Sequence, residues 1–152
     1  EFCDASAKSG IDGLIIPDLP IEEGSEMEAI TQNHGLDLIY LLAPNSMESH
    51  IRLTSQKSRG FIYLVSVAGC PGARENLSSN LEAFVTRVRA VARQPLCVGF
   101  GISTPQQARQ VGKIADGVIV GSRIIQLLES REGHLRPLQN FIAELREALN
   151  KP

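Results

Sequence analysis

Short apolar runs alternate with longer amphipathic stretches from one end of the chain to the other. The runs cover residues 13–17, 38–42, 61–66, 96–100 and 117–120, and their first residues stand 25, 23, 35 and 21 apart. That rhythm predicts βα units, each strand followed by a helix-length crossover. Leu96 to Val98 and Val118 to Val120 carry no polar alternation, as expected of strands buried on both faces of a parallel sheet. Between the runs, Asn45 with Glu48 predicts a capping box ahead of Met47 and Ile51. Leu81, Phe84, Val85, Val88 and Ala92 form an apolar stripe on a helix that also carries Arg87 and Arg89. Thr104, Pro105 and Gln107 read as an N-cap, a proline at the first helical position and a capping glutamine. Leu138, Phe141, Ile142, Leu145 and Leu149 are expected to form the buried face of the last helix. The first ten residues read as the end of a helix, with Phe2 and Ala5 at helical spacing and Ser9-Gly10 as its stop. A chain that opens inside an element is expected to be a piece of something longer. Strand–helix alternation without an antiparallel signal places the chain in the α/β class, where an open doubly wound sheet and a barrel both fit.

The last two runs share an ending. Pro95-Leu-Cys-Val-Gly-Phe-Gly-Ile-Ser103 and Gly117-Val-Ile-Val-Gly-Ser122 each pass from an apolar strand into glycine and a small hydroxyl, with a helix behind. Gly101 and Gly121 have no Cβ to hold a ligand away from the backbone. Two helix N-termini side by side, each with N–H groups lacking an intrahelical partner, make an anion site, most naturally for phosphate. The simpler alternative is that both glycines only make tight βα turns. A phosphate held after the last two strands is the habit of (β/α)8 barrels, which favours the barrel over the open sheet. A full barrel needs roughly 250 residues, so the expected fold is the C-terminal part of a TIM barrel, about five βα units. Residues 1–152 would then be one partial domain without strands one to three.

Composition narrows the function classes. The chain has 152 residues, 43% of them hydrophobic, enough for a sizeable core, and its net charge is −2. Its basic residues are scattered, which argues against a nucleic-acid surface. No apolar run is long enough to cross a bilayer. Cys3, Cys70 and Cys97 are odd in number and far apart, which fits a reducing, cytoplasmic setting and no structural zinc. His34, His50 and His134 share no ligand spacing, so no metal and no cofactor are expected.

In a barrel, chemistry sits at the C-terminal ends of the strands. Here those ends hold one carboxylate, Asp18, and no histidine. Asp18 stands between Pro17 and Pro20, as a catalytic acid or as a rigid turn at an interface. The glycine-rich stretch 67–72 is either a mobile lid or an ordinary connection. Tyr63 and Phe100 are either pocket walls for a flat aromatic ligand or core residues, since alternation alone does not fix where they point. A paired acid and base is missing, so the chain reads as the binding half of an enzyme.

Five strand ends taken together are specific. Asp12-Gly-Leu-Ile-Ile-Pro-Asp-Leu-Pro20, Leu41-Leu-Ala-Pro-Asn45, Tyr63-Leu-Val-Ser66 with Gly69 to Arg74, Val98-Gly-Phe-Gly-Ile-Ser103 and Asp116-Gly-Val-Ile-Val-Gly-Ser122 resemble, in order, the tryptophan synthase alpha subunit family. The resemblance runs from the helix before that family's fourth strand to the C-terminus. It implies retro-aldol cleavage of indole-3-glycerol phosphate to indole and glyceraldehyde 3-phosphate, with indole passed to a beta subunit. It implies that the N–H groups of Gly72, Gly101 and Gly121, with the N–H and hydroxyl of Ser122, hold the phosphate. Ile15, Tyr63, Phe100 and Ile119 would line the indole pocket. Asp18, Leu19, Pro20 and Asn45 would face the beta subunit. The family's catalytic glutamate, on strand two, and its aspartate, in the following loop, would lie upstream of Glu1.

Two positions depart from the family pattern. Pro71 stands where a lid threonine is usual, and Val67 where some members carry arginine. Proline has neither the hydroxyl nor the N–H for the closing contact. The alternatives are another phosphate-binding barrel enzyme, of the kind that handles phosphorylated ribose or thiamine precursors, and a non-catalytic half-barrel that associates with itself.

Overall fold

The computed structural model describes residues 1–66, 76–99, 101–129 and 135–150. The proposed lid 67–72 with Pro71 and Gly72, and also Phe100 and His134, lie outside the described residues. The strands are β1 (Gly13–Ile15), β2 (Asp37–Ile39), β3 (Leu41–Leu42), β4 (Ile62–Val65), β5 (Leu96–Gly99) and β6 (Gly117–Val118), and every pairing among them is parallel. Interleaved are α1 (Phe2–Lys8), a 3-10 turn (Ile21–Glu23), α2 (Ser25–Asn33), α3 (Glu48–Lys57), α4 (Asn76–Arg89), α5 (Pro105–Gly112), α6 (Ser122–Glu129) and α7 (Arg136–Asn150). β1 pairs β2, and β3, β4, β5 and β6 follow one another in order. No described helix is long and apolar enough to cross a membrane.

The single strand expected over 38–42 is split at Tyr40. The Tyr40 N–H donates to the Ser58 hydroxyl at 3.0 Å, and that hydroxyl donates to the Phe61 carbonyl at 2.8 Å. The Tyr40 carbonyl accepts from Tyr63 N–H at 3.1 Å. A side chain thus takes the place of a ladder partner where the segment changes neighbours, from β1 before the break to β4 after it.

The capping box expected at Asn45 and Glu48 does not form. Met47 is the N-cap of α3 and makes no side-chain cap bond. Instead Ser46 clasps Ala43 in both directions, N–H to carbonyl at 2.9 Å and hydroxyl accepting from N–H at 3.0 Å. That turn consumes the residues before the helix and leaves Asn45 exposed within it. A second correction concerns α7. Phe141 and Leu145 are buried, one turn apart, whereas Ile142 is 49% exposed. One residue further round the helix faces away from the contact made by an i, i+4 pair.

Two cores lie on the helix side of the strands. The larger unites Leu42, Ile62, Leu64, Leu96 and Val98 with Ile51, Val88, Ala108, Phe141 and others from the helices. The smaller joins Ile21, Leu38 and Tyr40, with Leu14, Leu19, Met27 and Leu53 packed against it. Alternate strand residues point oppositely and paired residues point alike. The register pairs Ile15 with Ile39, Leu41 with Tyr63, Tyr63 with Cys97, and Cys97 with Gly117. These residues therefore share the face turned away from the helices, which in a closed barrel is its interior. Ile119 joins them, since its neighbours Val118 and Val120 pack against the larger core.

Candidate functional site

The ends of β5 and β6 lie side by side, and the Ile119 N–H extends their pairing by donating to the Val98 carbonyl at 2.8 Å. Beyond β5, Gly101 takes φ 80, a left-handed conformation natural only to glycine, and Ile102 turns back into the larger core. Beyond β6, Gly121 accepts from Ile124 N–H at 2.8 Å and Ile125 N–H at 3.2 Å, so it is the N-cap of α6 and has no capping side chain to offer. A Cβ built on Gly121 would meet nothing within 4 Å among the described residues. Packing inside the chain does not require glycine there. Ser122, the first residue of α6, is exposed beside it.

The two helix N-termini expected to face an anion are not equally open. At α5 the Thr104 hydroxyl accepts from Gln107 N–H at 3.2 Å, and Gln107 Oε1 accepts from the N–H groups of Ser103 at 2.9 Å and Thr104 at 3.1 Å. The same oxygen takes the Ser103 hydroxyl at 3.2 Å. This capping box engages the N–H groups of Ser103, Thr104 and Gln107 and leaves that of Gln106 without an acceptor among the described residues. The N–H groups of Gly101, Gly121 and Ser122 meet no backbone acceptor among the described residues.

Of the apolar residues expected around an indole, the three that are described share one face. Ile15 and Ile119 lie there with Tyr63, Ile39 and Leu41. Tyr63 is covered, at 9% exposure, and burial raises the pKa of its phenol, which stays neutral. Its ring lies across Gly99, where any Cβ would collide with the phenol. Gly99 is thus a site residue that sequence reading missed. The signal was a glycine two positions beyond the residue that pairs with a tyrosine, visible only once the register is known. Ser66 was missed as well: its N–H and hydroxyl both donate to the Gly99 carbonyl, at 2.9 and 2.8 Å, which ties the end of β4 to β5 where residues 67–72 begin.

Asp18 and Pro20 are exposed, and Leu19 is half-buried against the smaller core. Asn45 stands in the next strand-end turn, whose carbonyls Pro44 and Ser46 accept from Arg87 at 2.8 and 3.1 Å. Cys97 lies on the same face as Tyr63; burial raises its pKa, with the Asp116 charge adding to it. Among the described residues no group of three or more His, Cys, Asp or Glu comes together as a metal site. A shallow cavity of about 410 Å³, lined by Arg52, Gln56, Arg93 and Gln94, sits before β4 and β5, at the end of the strands away from this site.

The profile of the tryptophan synthase alpha chain family matches residues 1–151. The chain belongs to this family. It is 51% identical over 150 residues to the tryptophan synthase alpha chain of Dehalococcoides mccartyi, covering 99% of this chain and 58% of that protein. The alpha chain of Geobacter sulfurreducens is 47% identical over 148 residues, 96% of this chain and 56% of its own. Among solved structures, an open form of tryptophan synthase from M. tuberculosis superposes with a TM-score of 0.86 at 35% identity, over 99% of this chain and 55% of that one. The alpha subunit from Legionella pneumophila superposes with a TM-score of 0.84 at 33% identity, over 98% and 56%. The chain thus spans just over half the length of the alpha chains it matches. Its fold is the C-terminal part of a TIM barrel, as the resemblance implied, and the rival barrel families fall away. What the described residues offer chemically is a rim of backbone donors above an apolar wall. Among them, the turns 16–20, 43–47, 101–104 and 119–121 carry no carboxylate besides Asp18 and no histidine.

Proposed function

We propose that the intact protein cleaves indole-3-glycerol phosphate by a retro-aldol step to indole and glyceraldehyde 3-phosphate, in tryptophan biosynthesis in the cytoplasm, and works with a beta subunit. Residues 1–152 supply the side that holds phosphate and indole. The observation that carries this reading is the bare start of α6 at Gly121 and Ser122 set above the face shared by Ile15, Tyr63 and Ile119, in a chain matched by the alpha-chain family over 1–151. Gly101, Gly121 and Ser122 take the phosphate, with Gly72 from the stretch 67–75 as the family pattern implies. An anion at a helix N-terminus meets unpaired N–H groups and the positive end of the dipole.

Phosphate is far from the bond that breaks, so its binding energy serves to fix the indole against the apolar wall. In the cleavage a base removes the proton of the hydroxyl on the carbon attached to the ring. The carbon–carbon electrons pass to the ring carbon as the carbonyl forms, and an acid returns a proton to that ring carbon. The family's glutamate and aspartate for these two tasks fall outside residues 1–152. The turn 18–20 and Asn45 face the beta subunit.

The test is indole release from indole-3-glycerol phosphate by the intact protein, with and without the beta chain. Release that depends on the phosphate group, and is lost with the dephosphorylated substrate, is the expected result. Indifference to the phosphate would rule the reading out.

A further inference from the structure

Behind the turn 16–20, on the helix side, two polar side chains converge on one carboxylate oxygen of a third. Tyr40 donates its phenol to Glu28 Oε1 at 2.7 Å, and Lys57 Nζ donates to the same atom at 2.9 Å. Lys57 also donates to the Ile21 carbonyl at 3.2 Å. The groups come from α2, from the break between β2 and β3, and from the end of α3. They meet at the 3-10 turn that immediately follows Pro20.

The arrangement is built in. Tyr40 is 4% exposed, and its hydroxyl occupies the space that Gly24 leaves by lacking a Cβ. Lys57 and Glu28 are 22% and 27% exposed. Burial pushes the Glu28 carboxyl up, but the hydrogen bonds from Lys57 and Tyr40 and the Lys57 charge outweigh it and hold the carboxyl below its ordinary range. On the other side, Ile21 is buried and Leu19 packs against the same small core as Tyr40. The exposed part of the turn, Asp18 and Pro20, has only short-range backbone closures among the described residues, Leu19 N–H to the Ile16 carbonyl at 3.2 Å and Glu23 N–H to the Pro20 carbonyl at 3.0 Å. Its orientation is therefore set from behind, through Leu19 and the Ile21 carbonyl.

We propose that Glu28, Tyr40 and Lys57 are positioning residues that fix the turn 16–20 as a rigid docking surface for the beta subunit. The docking part rests on the reading that this turn faces the partner. A loose turn must be ordered on binding, and that ordering weakens affinity. The three side chains touch neither phosphate nor indole residues, so cleavage by the alpha chain alone does not depend on them.

The variant is Lys57→Met in the intact alpha chain, which keeps the aliphatic stem and removes the ammonium. Amide exchange at residues 19–24 should speed up about tenfold, the scale of a half-buried carboxylate losing a charged donor. Exchange at residues 96–99 should stay as it was. The dissociation constant for the beta chain should rise by about the same factor, while indole release without the beta chain is unchanged. Lys57→Arg, which restores a donor, should recover both. Tyr40→Phe, one hydroxyl fewer, gives the same readouts should Lys57→Met fail to fold. Unchanged exchange at 19–24, or an equal rise throughout, would overturn the clamp. A loosened turn with an unchanged beta-chain affinity would overturn its docking role. If the wild-type protein binds no beta chain, the interface reading fails on its own, and exchange at 19–24 still decides whether the clamp fixes the turn.

Discussion

Helices α5 and α6 follow consecutive strands of one sheet, yet they begin in opposite ways. α5 starts with Thr104 in extended conformation, a proline, and a glutamine that reaches back to two N–H groups. α6 starts with Gly121, whose carbonyl is engaged and whose side-chain position is empty space. Both helices face the same problem, N–H groups with no partner in the first turn. One sequence solves most of it internally. The other leaves it to solvent or to a ligand, and a residue type that contributes nothing to the cap is the mark of that choice. The difference separates a glycine that serves the chain's own fold from one that serves something outside it. The left-handed φ of Gly101 calls for glycine by itself, alongside the phosphate contact proposed for its N–H; Gly121 has no such need within the described residues, and the proposed phosphate is what it would serve.

The comparison breaks most sharply at Gly121. Asp in its place would give α6 the capping side chain it lacks, and the new Cβ would enter open space. The melting temperature of the intact protein should hold or rise. Affinity for the phosphorylated substrate should fall by at least roughly a hundredfold, since like charges set against each other cost several kcal/mol. Calorimetric titration beside a thermal melt reads both effects, and an unchanged affinity would remove α6 from the site. Next in size, Ser122→Ala should weaken the same binding by about 1.5–3 kcal/mol, as for a hydrogen bond to a charged group. An unchanged dissociation constant would take Ser122 out of the site while leaving Gly121 in it.

The pattern of the residues made the succession of strands and helices legible, because apolar runs and helix stripes depend on local spacing. The Thr104–Gln107 cap was legible for the same reason. What spacing could not reveal depends on partners distant in sequence. Whether Tyr63 faces the helices needs its register with Leu41 and Cys97, and the role of Gly99 needs the Tyr63 ring beside it. The split at Tyr40 depends on Ser58, eighteen residues on. At Asn45 the local signal misled, because Ser46 and Ala43 made a competing turn with the same residue types. Ile142 misled because a stripe of five apolar residues is wider than the contact α7 makes. Gly72 and Phe100 rest on the family resemblance alone.

Breaking the other half of the comparison should cost stability and spare binding. Thr104→Ala removes the acceptor of the Gln107 N–H and should destabilise the intact protein by about 1 kcal/mol, the usual loss for a capping hydroxyl. Denaturant midpoints measure it. Phosphate affinity should not move, because the N–H groups this box engages are not among those proposed to hold the phosphate. A parallel loss of affinity would mean that α5 belongs to the site after all.

The smallest effect lies at the opposite end of β6. Asp116 Oδ2 accepts from Leu96 N–H at 2.7 Å and pairs with Arg89, while its own N–H donates to the Leu96 carbonyl at 2.9 Å. Burial pushes this carboxyl up, but the Leu96 N–H and the Arg89 guanidinium outweigh it and hold it below the ordinary range. A folded-state value below the unfolded one, about 3.9, means the contribution is whole above that pH and is lost as pH falls through the folded value. The side chain is 46% exposed, so solvent screens the pair, and Asp116→Asn should cost less than about 1 kcal/mol at pH 7. Asparagine keeps an acceptor for Leu96 N–H and loses only the charge. Urea midpoints of wild type and variant should therefore differ at pH 7 and converge toward pH 3, with phosphate affinity at pH 7 identical in the two. A difference that persists unchanged at pH 3 would assign the effect to geometry and not to the charge.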